Sequence, residues 1–282
     1  MVNGQTATDP AIVRDLRGSG RAIGAFNAIM LEHAEAVVAG AEDAGLPVIL
    51  QISQNAVRYH GSLAPFAAAC QRLAEAATVP VIVHLDHAED ETLIHQAVDL
   101  GIRSVMFDAA TLPYADNVAR TRAVVAHCHA AGCWVEAELG EVGGKDGAHA
   151  PGVRTDPAQA AAFVTATGVD ALAVAVGSSH AMNSRDAVLD DDLIARLRQA
   201  VPVPLVLHGS SGVPEDGLRR AVAHGITKVN VGTLLNRALT GEVRAVLADH
   251  AGLTDPRKYL APGRDAVRAE VTRTLRLLAR PR

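Results

Sequence analysis

The stretch 81-VIVHLDHAED-90 begins like a buried strand and ends in polar and ionisable side chains. Three β-branched apolar residues open it, and His84, Asp86, His87, Glu89 and Asp90 follow at once. A buried polar group without a partner costs about 1–3 kcal/mol. A strand that ends in this way therefore leads to a place where those side chains find partners.

A short apolar run, a polar loop and an amphipathic helix recur along the chain. The candidate strands lie at 22–28, 47–53, 80–86, 104–108, 133–139, 171–177, 204–209 and 228–232. Apolar strands that alternate with helices indicate a parallel sheet covered on both faces. Eight such units predict an α/β fold, a single-domain (β/α)8 TIM barrel over residues 1–282.

An open, doubly wound sheet is the alternative fold. It usually carries a G-x-G-x-x-G turn after its first strand, which this sequence lacks. Residues 255–282 predict an extra C-terminal helix with Val267, Val271, Leu275 and Leu278 on one face. Its arginines are interpreted as a solvated face, with a subunit contact or a substrate phosphate as alternatives.

Charge and composition argue against several classes of partner. The net charge of −5 provides no basic footprint for nucleic acid or a membrane surface. The sequence starts without the apolar run of a signal peptide and has no run near the roughly 20 residues of a membrane span. Three cysteines without C-x-x-C spacing indicate free thiols in a reducing compartment. We expect a cytoplasmic protein.

Polar residues gather at the predicted carboxyl ends of strands 3 to 8, where barrel enzymes keep their active sites. Those ends carry Asp86-His87, Asp108, Glu136 with Glu138, His180, His208 and Asn230. Three imidazoles from separate strands that face one space indicate a divalent metal with an open coordination position. The ligands predicted are His87, His180 and His208. His84 is interpreted as a deeper core histidine, with a ligand role as the alternative.

The loops after strands 7 and 8 predict an anion site. In "HGSSG" and "NVGT", glycine and serine let backbone N–H groups approach a phosphate, and many barrels bind phosphate there. Ordinary turn chemistry is the alternative. A metal beside a phosphate site indicates a small phosphorylated substrate with a carbonyl to polarise. Lys228 is placed at the start of strand 8, so no lysine is expected in a strand core and a Schiff base is not expected.

The motifs together resemble a known enzyme family. "HLDHAED", "VEAELGEVGG", "GSSHAMNSR", "LVLHGSSGVP", "KVNVGT" and "DPRKYLAPGRDAV" are similar to the class II, zinc-dependent ketose-bisphosphate aldolases, the fructose- and tagatose-bisphosphate aldolase family. The resemblance covers nearly the whole chain in order. The length, and Gly232 where fructose-bisphosphate members often carry Asp, resemble the shorter tagatose branch.

The resemblance implies roles for individual residues. His87, His180 and His208 would hold Zn²⁺ or another divalent ion, with Asp108 and Glu138 as auxiliary carboxylates and a monovalent cation as a further cofactor. Asp86 would serve the aldehyde oxygen, Asp146 the carbon-bound proton and Asn230 the enediolate. The implied substrate-binding positions are Ser53, Ala181, Arg185, Gly209, Ser210, Ser211, Asn230, Val231, Gly232, Thr233 and Arg264. Ser53 and Arg264 would lie near the second phosphate.

The sequence departs from the family at a few positions. Ala181 replaces a Gly, Asn183 and Arg185 replace Tyr and Lys, and Asp146 replaces a Glu that is one methylene longer. A displacement of ~1 Å can cost about a hundredfold in rate. These departures bear on the substrate more than on the reaction.

The implied reaction is reversible aldol cleavage of a fructose- or tagatose-type ketose 1,6-bisphosphate. Its products would be dihydroxyacetone phosphate and an aldehyde such as glyceraldehyde 3-phosphate. The resemblance also implies a role in carbohydrate metabolism such as glycolysis, and a homodimer or homotetramer. The alternatives are an aldolase of the same family for another ketose phosphate, a metal-dependent hydrolase on the same barrel, and a sugar-phosphate-binding protein without catalysis. "GAFN" lacks the His-x-His that such hydrolases often carry on their first strand.

Overall fold

The computed structural model describes residues 10–140, 153–179 and 185–279. Eight parallel strands form a closed barrel in which β1 pairs with both β2 and β8. The strands are β1 (Ile23–Asn27), β2 (Val48–Ser53), β3 (Val81–Ala88), β4 (Ser104–Phe107), β5 (Trp134–Leu139), β6 (Ala171–Val174), β7 (Leu205–Leu207) and β8 (Ile226–Val231). The predicted TIM barrel is confirmed.

Helices surround the barrel, and the first of them lies at its amino-terminal end. They are α1 (Ala11–Asp15), α2 (Leu31–Ala44), α3 (Gln54–His60), α4 (Ala64–Ala76), α5 (Glu91–Asp99), α6 (Tyr114–Ala130), α7 (Pro157–Thr167), α8 (Asp191–Ala200), α9 (Glu215–His224), α10 (Thr233–Asp249) and α11 (Pro256–Leu278). Aspartates at 90, 156 and 190 accept backbone N–H groups at the starts of α5, α7 and α8. Each cap satisfies a backbone N–H in the first turn and fixes the residue at which its helix begins.

Two apolar layers surround the strands. The outer layer joins strands to helices, and a smaller inner cluster fills the barrel's amino-terminal end. In the inner cluster α1 contributes Val13, which packs with residues that open their strands, such as Ile23 and Trp134. Because this end is filled with apolar side chains, the polar interior lies toward the carboxyl ends.

The C-terminal helix α11 is part of the barrel's wall. Val267, Val271, Leu275 and Leu278 are buried on one face, as predicted. The helix packs between α2 and α10, and the backbone N–H of Ala22 donates to the carbonyl of Leu278 at 3.0 Å.

Two further expectations can be compared with the described residues. Cys70, Cys128 and Cys133 are buried free thiols, as the sequence indicates. Within the described ranges, no helix has the length and apolar character that crossing a membrane requires.

Gly40 lies where α2 packs directly against α11, and it provides a test of this packing. A Cβ at Gly40 would lie 2.7 Å from the carbonyl oxygen of Arg268 and 2.8 Å from Cβ of Val271. We expect Gly40→Ala to destabilise the protein by about 1–3 kcal/mol, since the added methyl group fits only if α2 and α11 move apart. Urea unfolding monitored by circular dichroism measures this.

Gly241→Ala is the matched control. This glycine is also helical, in α10, but is exposed and has no atom within 4 Å of its ideal Cβ. Alanine there should stabilise the helix by up to about 1 kcal/mol. Equal effects of the two substitutions would contradict the proposed role of the α2–α11 contact.

Candidate active site

A bulge at the end of β3 brings Asp86 and His87 to the same site. Neighbouring residues of a regular strand point to opposite faces. Here the pairing of β3 with β4 shifts between Leu85 and Ala88, and His87 has a φ of 50°. A histidine in this left-handed region costs about 1–3 kcal/mol, which the surrounding contacts must offset. The bulge turns the His87 imidazole toward the interior beside Asp86.

The imidazoles of His87 and His208 meet above the barrel. Nδ1 of His87 lies 2.8 Å from Oδ2 of Asp108, and Nε2 of His208 lies 3.0 Å from Oε1 of Glu136. A carboxylate only accepts hydrogen bonds, so we assign the ring proton to each of these nitrogens. The other nitrogens, Nε2 of His87 and Nδ1 of His208, then face each other as acceptors 2.9 Å apart.

This arrangement of nitrogen donors suits a cation. Two imine nitrogens at 2.9 Å repel each other unless a positive charge lies between or beside them. The ligand atoms of Asp86, His87 and His208 all lie within 4.8 Å of one another, and so do those of His87, Asp108 and Glu138. Neutral imidazoles whose second nitrogen is held by a carboxylate are the usual form of histidine at a divalent metal.

Asp86 is held by two side-chain amides. Nδ2 of Asn27 donates to its Oδ2 at 2.7 Å, and Nδ2 of Asn230 donates to its Oδ1 at 3.2 Å. Nε2 of Gln51 in turn donates to Oδ1 of Asn27 at 3.0 Å. Burial alone would raise the pKa of Asp86, but His87 and His208 in their protonated forms, together with Lys228, outweigh burial and hold that pKa well below its usual value. The carboxylate is therefore ionised at neutral pH.

An ion pair lies deeper in the barrel, below His208. Nζ of Lys228 donates to Oε2 of Glu136 at 2.6 Å, and both side chains are fully buried. Burial would raise the pKa of Glu136, but Lys228 and His208 bring it to about 2. The expectation that Lys228 only opens strand 8 is wrong: β8 begins at Ile226, and Lys228 lies within the strand core. Its ammonium is held by Glu136.

The loops after β7 and β8 are joined by their serines. The Ser210 hydroxyl donates to the backbone carbonyl of Asn230, and Oγ of Ser211 accepts the N–H of Leu234 at 3.2 Å. Gly209 has a φ of 66°, and a Cβ there would lie 2.5 Å from the carbonyl oxygen of Ser179. The 3₁₀ turn 210–212 and the amino terminus of α10 thus lie side by side, an arrangement that suits an anion.

Comparisons with known proteins identify the family of this chain. The family model "Fructose-bisphosphate aldolase class-II" matches residues 9–280. The chain belongs to this family. It is therefore a member of the class II aldolases, which are lyases and generally depend on a divalent metal.

Solved structures of related proteins show the same barrel. The YdjI aldolase from Escherichia coli K12 is 33% identical, with a TM-score of 0.83 over 94% of both chains. A protein from Coccidioides immitis assigned as a fructose-1,6-bisphosphate aldolase is 31% identical, with a TM-score of 0.83 over 96% of both. A fructose-bisphosphate aldolase from Campylobacter jejuni, 21% identical with a TM-score of 0.81 over 95% of this chain and 92% of its own, shows the fold alone.

Not all predicted site residues of this aldolase can be placed. Asp146, His180 and Ala181 lie outside the described residues, as does Asn183. The structure brings together Asp86, His87, Asp108, Glu138, His208 and Asn230. It places Gly209, Ser210, Ser211, Val231, Gly232 and Thr233 in the two adjoining loops and strand end.

The outlying binding positions have other contacts. Ser53 ends β2 in register with Asp86, and its hydroxyl accepts the N–H of Ala56 at the start of α3. Arg264 lies on α11, where its guanidinium donates to Glu35 of α2 at 2.8 Å. Arg185 is exposed and lies near Glu270 and Arg273 of α11. The second-phosphate role of Ser53 and Arg264 stays a prediction.

Several polar residues of the aldolase site had no role in the sequence interpretation. Asn27, Gln51, Glu136 and Lys228 complete the network. For two of them the sequence carries a signal in the two-residue period of a strand. Glu136 lies two residues before Glu138, and Lys228 lies two residues before Asn230, so the members of each pair share a strand face. His84 is fully buried, with Nδ1 2.7 Å from the Ser104 hydroxyl.

The buried histidines predict an acid-sensitive apoprotein. Burial, then the Lys228 charge, lowers the pKa of His84 to about 3, and burial, then His87, lowers that of His208 to about 4. The unfolded chain binds protons from about pH 6.5 downward and the folded chain does not, so stability falls as pH drops from about 6.5 to 4. We expect a loss on the order of a few kcal/mol between pH 7.5 and 5.0.

Urea unfolding of metal-free protein at those two pH values measures this dependence. His84→Gln should weaken it, because one of the two groups is removed. His95→Gln, at an exposed position of α5, should leave the dependence unchanged. An unfolding midpoint that does not change with pH in the unsubstituted protein would contradict the assignment.

Proposed function

We propose that this protein catalyses the reversible aldol cleavage of a ketose 1,6-bisphosphate of the fructose or tagatose type. The products are dihydroxyacetone phosphate and an aldehyde such as glyceraldehyde 3-phosphate. The observation that carries the proposal is the position of Asp86, His87 and His208 around one point, beside the two loops that suit a phosphate. Family membership supports the aldol reaction, whereas the identity of the ketose phosphate is part of what we propose.

Zn²⁺ is the ion proposed for the cluster, with another divalent metal as the alternative. His87 and His208 would hold it, together with His180, and a bound divalent ion supplies Lewis-acid polarisation of a carbonyl. Asp108 and Glu138 lie near enough to act as auxiliary carboxylates. A monovalent cation belongs to the proposal on the resemblance alone.

Asp86 is proposed to accept the proton of the substrate hydroxyl during cleavage. Its ionised carboxylate is fixed by Asn27 and Asn230, so an oxygen lone pair has a defined direction. In the reverse direction the same group returns the proton to the aldehyde oxygen. Asp146 is proposed to move the carbon-bound proton.

Asn230 is proposed to contact the enediolate end of the substrate. Its Oδ1 is buried and has no hydrogen-bond partner among the described residues, while its amide nitrogen contacts Asp86. A buried acceptor without a partner costs about 1–3 kcal/mol. A substrate hydroxyl that donates to Oδ1 would remove this cost.

The phosphate next to the carbonyl is proposed to bind between the loops after β7 and β8. Gly209 and the serines at 210 and 211 provide one side, and Gly232 with Thr233 at the amino terminus of α10 provides the other. Ser53, Ala181, Arg185 and Arg264 are proposed for the remaining substrate contacts. Arg264 would have to leave Glu35 to reach a second phosphate in the same chain.

The cellular setting is proposed from charge and family. The proposed partner is a small sugar phosphate, and no nucleic acid or membrane is proposed as a partner. The protein is proposed to be a cytoplasmic homodimer or homotetramer. The net charge of −5 supports the exclusion of nucleic acid and of membrane surfaces.

Dihydroxyacetone phosphate release from a panel of ketose phosphates tests this function. The panel contains fructose and tagatose 1,6-bisphosphates and their monophosphates, each with and without a chelator. We expect cleavage of at least one bisphosphate that the chelator abolishes and added Zn²⁺ restores. Binding without cleavage by metal-loaded protein would favour the sugar-phosphate-binding alternative, and cleavage that resists the chelator would contradict a metal-dependent reaction.

Asp86→Asn tests the proton transfer. General acid–base groups contribute about 10²- to 10⁴-fold to rate, so kcat should fall by that factor while metal content stays near one ion per chain. Asp90→Asn is the matched control, because Asp90 lies four residues on and caps α5, a position that asparagine fills equally well. Similar rates for the two variants would refute the role of Asp86.

A further inference from the structure

We propose that Glu136 and Lys228 form a positioning device that fixes the tautomer and orientation of His208 for metal binding. The inference rests on the proposed metal site. It assigns a function to a buried ion pair that contacts neither the substrate loops nor Asp86, and that lies on the side of His208 away from His87.

The contacts of His208 define the direction of its ring. Nε2 lies 3.0 Å from Oε1 of Glu136, whereas Nδ1 lies 2.9 Å from Nε2 of His87 and 3.6 Å from Oε2 of Glu138. A proton on Nε2 is shared with a carboxylate, and Nδ1 then presents its lone pair toward the predicted metal position. The opposite tautomer would set a lone pair of Nε2 against the Glu136 carboxylate in a fully buried site.

A second contact competes for Nε2 of His208. Nδ2 of Asn230 lies 3.1 Å from it. The same amide nitrogen already donates to Asp86, and turning the amide round would place its oxygen against that carboxylate. In the assigned tautomer the Asn230 contact is therefore a close approach of two N–H groups, and the 3.0 Å contact with the charged carboxylate of Glu136 favours the proton on Nε2.

Lys228 gives Glu136 its orientation. The ammonium donates to Oε2 at 2.6 Å, which leaves Oε1 directed at His208. The three groups come from β8, β5 and the end of β7, so they cross the barrel interior rather than following one strand. At His87 the corresponding contact is made by a single carboxylate oxygen, Oδ2 of Asp108, which lies 2.8 Å from Nδ1.

Metal affinity is the measurement that distinguishes positioning from a structural role. Zn²⁺ and Co²⁺ affinities are measured by chelator competition, together with the visible spectrum of bound Co²⁺, for Glu136→Gln, Lys228→Met and the double variant. We expect each single variant to bind about 10- to 100-fold more weakly, as for other outer-shell partners of metal-bound histidine. The double variant should bind metal about as weakly as the weaker of the two single variants, because both substitutions disrupt the same Glu136–Lys228 unit and their effects do not add.

Ser104→Ala is the matched control. Ser104 is also buried in the barrel interior, but its hydroxyl contacts His84 rather than His208. Its metal affinity and Co²⁺ spectrum should stay within twofold of the unsubstituted protein. If the double variant binds as tightly as this control and with the same spectrum, the positioning role is refuted while the proposed aldolase function stands.

Nitrogen NMR of histidine in the unsubstituted, metal-free protein covers the case in which the variants do not fold. ¹⁵N-labelled histidine, assigned by comparison with His208→Gln, should show the proton on Nε2 of His208. A proton on Nδ1 overturns the inference. Failure of the unsubstituted protein to bind any divalent ion would instead remove the proposed function itself.

Discussion

A single carboxylate, that of Glu136, connects the two halves of the barrel interior. Below it lies the mainly apolar cluster to which α1 contributes, and above it lies the polar cluster around His87 and Asp86. Two buried charges lose several kcal/mol each of hydration, so they persist only where their hydrogen bonds are complete. Lys228 on one side and His208 on the other complete those of Glu136.

The sequence predicted the barrel and much of the strand-end cluster because both follow from periodicity. Apolar runs that alternate with helices determine the sheet, and parallel strands put their carboxyl ends together. The bulge at His87 could not be read in this way. In a regular strand Asp86 and His87 face opposite sides, and only the left-handed backbone of His87 turns both toward one site.

Lys228 shows a second limit of sequence reasoning. A lysine near a strand boundary is usually exposed, and the sequence pattern starts β8 at residue 228, two residues later than the structure does. Its burial depends on a partner 92 positions away on β5. Such pairing across a barrel leaves no local signal, whereas the shared face of Lys228 and Asn230 does.

Two glycines lie near the proposed phosphate site, and a different physical reason explains why each position holds a glycine. Gly209 is imposed by the fold, since any side chain there would collide with the backbone of Ser179. At Gly232 a Cβ would only touch Asn27 at 3.7 Å, an ordinary van der Waals distance. The backbone would accept a larger residue at 232, so the small residue there bears on what the site binds rather than on how the loop folds.

The position of α11 affects how the chain can fold during synthesis. β1 and α2 form early in the chain, yet their neighbours on one side are β8 and α11, more than 200 residues later. Until residues 226–231 have emerged from the ribosome, one edge of β1 stays unpaired, and until residues 256–278 have emerged, the face of α2 around Gly40 stays uncovered. Exposed strand edges and apolar helix faces are where nascent chains associate wrongly. The synthesis of α11 is therefore the step that covers the α2 face and ends its exposure to aggregation.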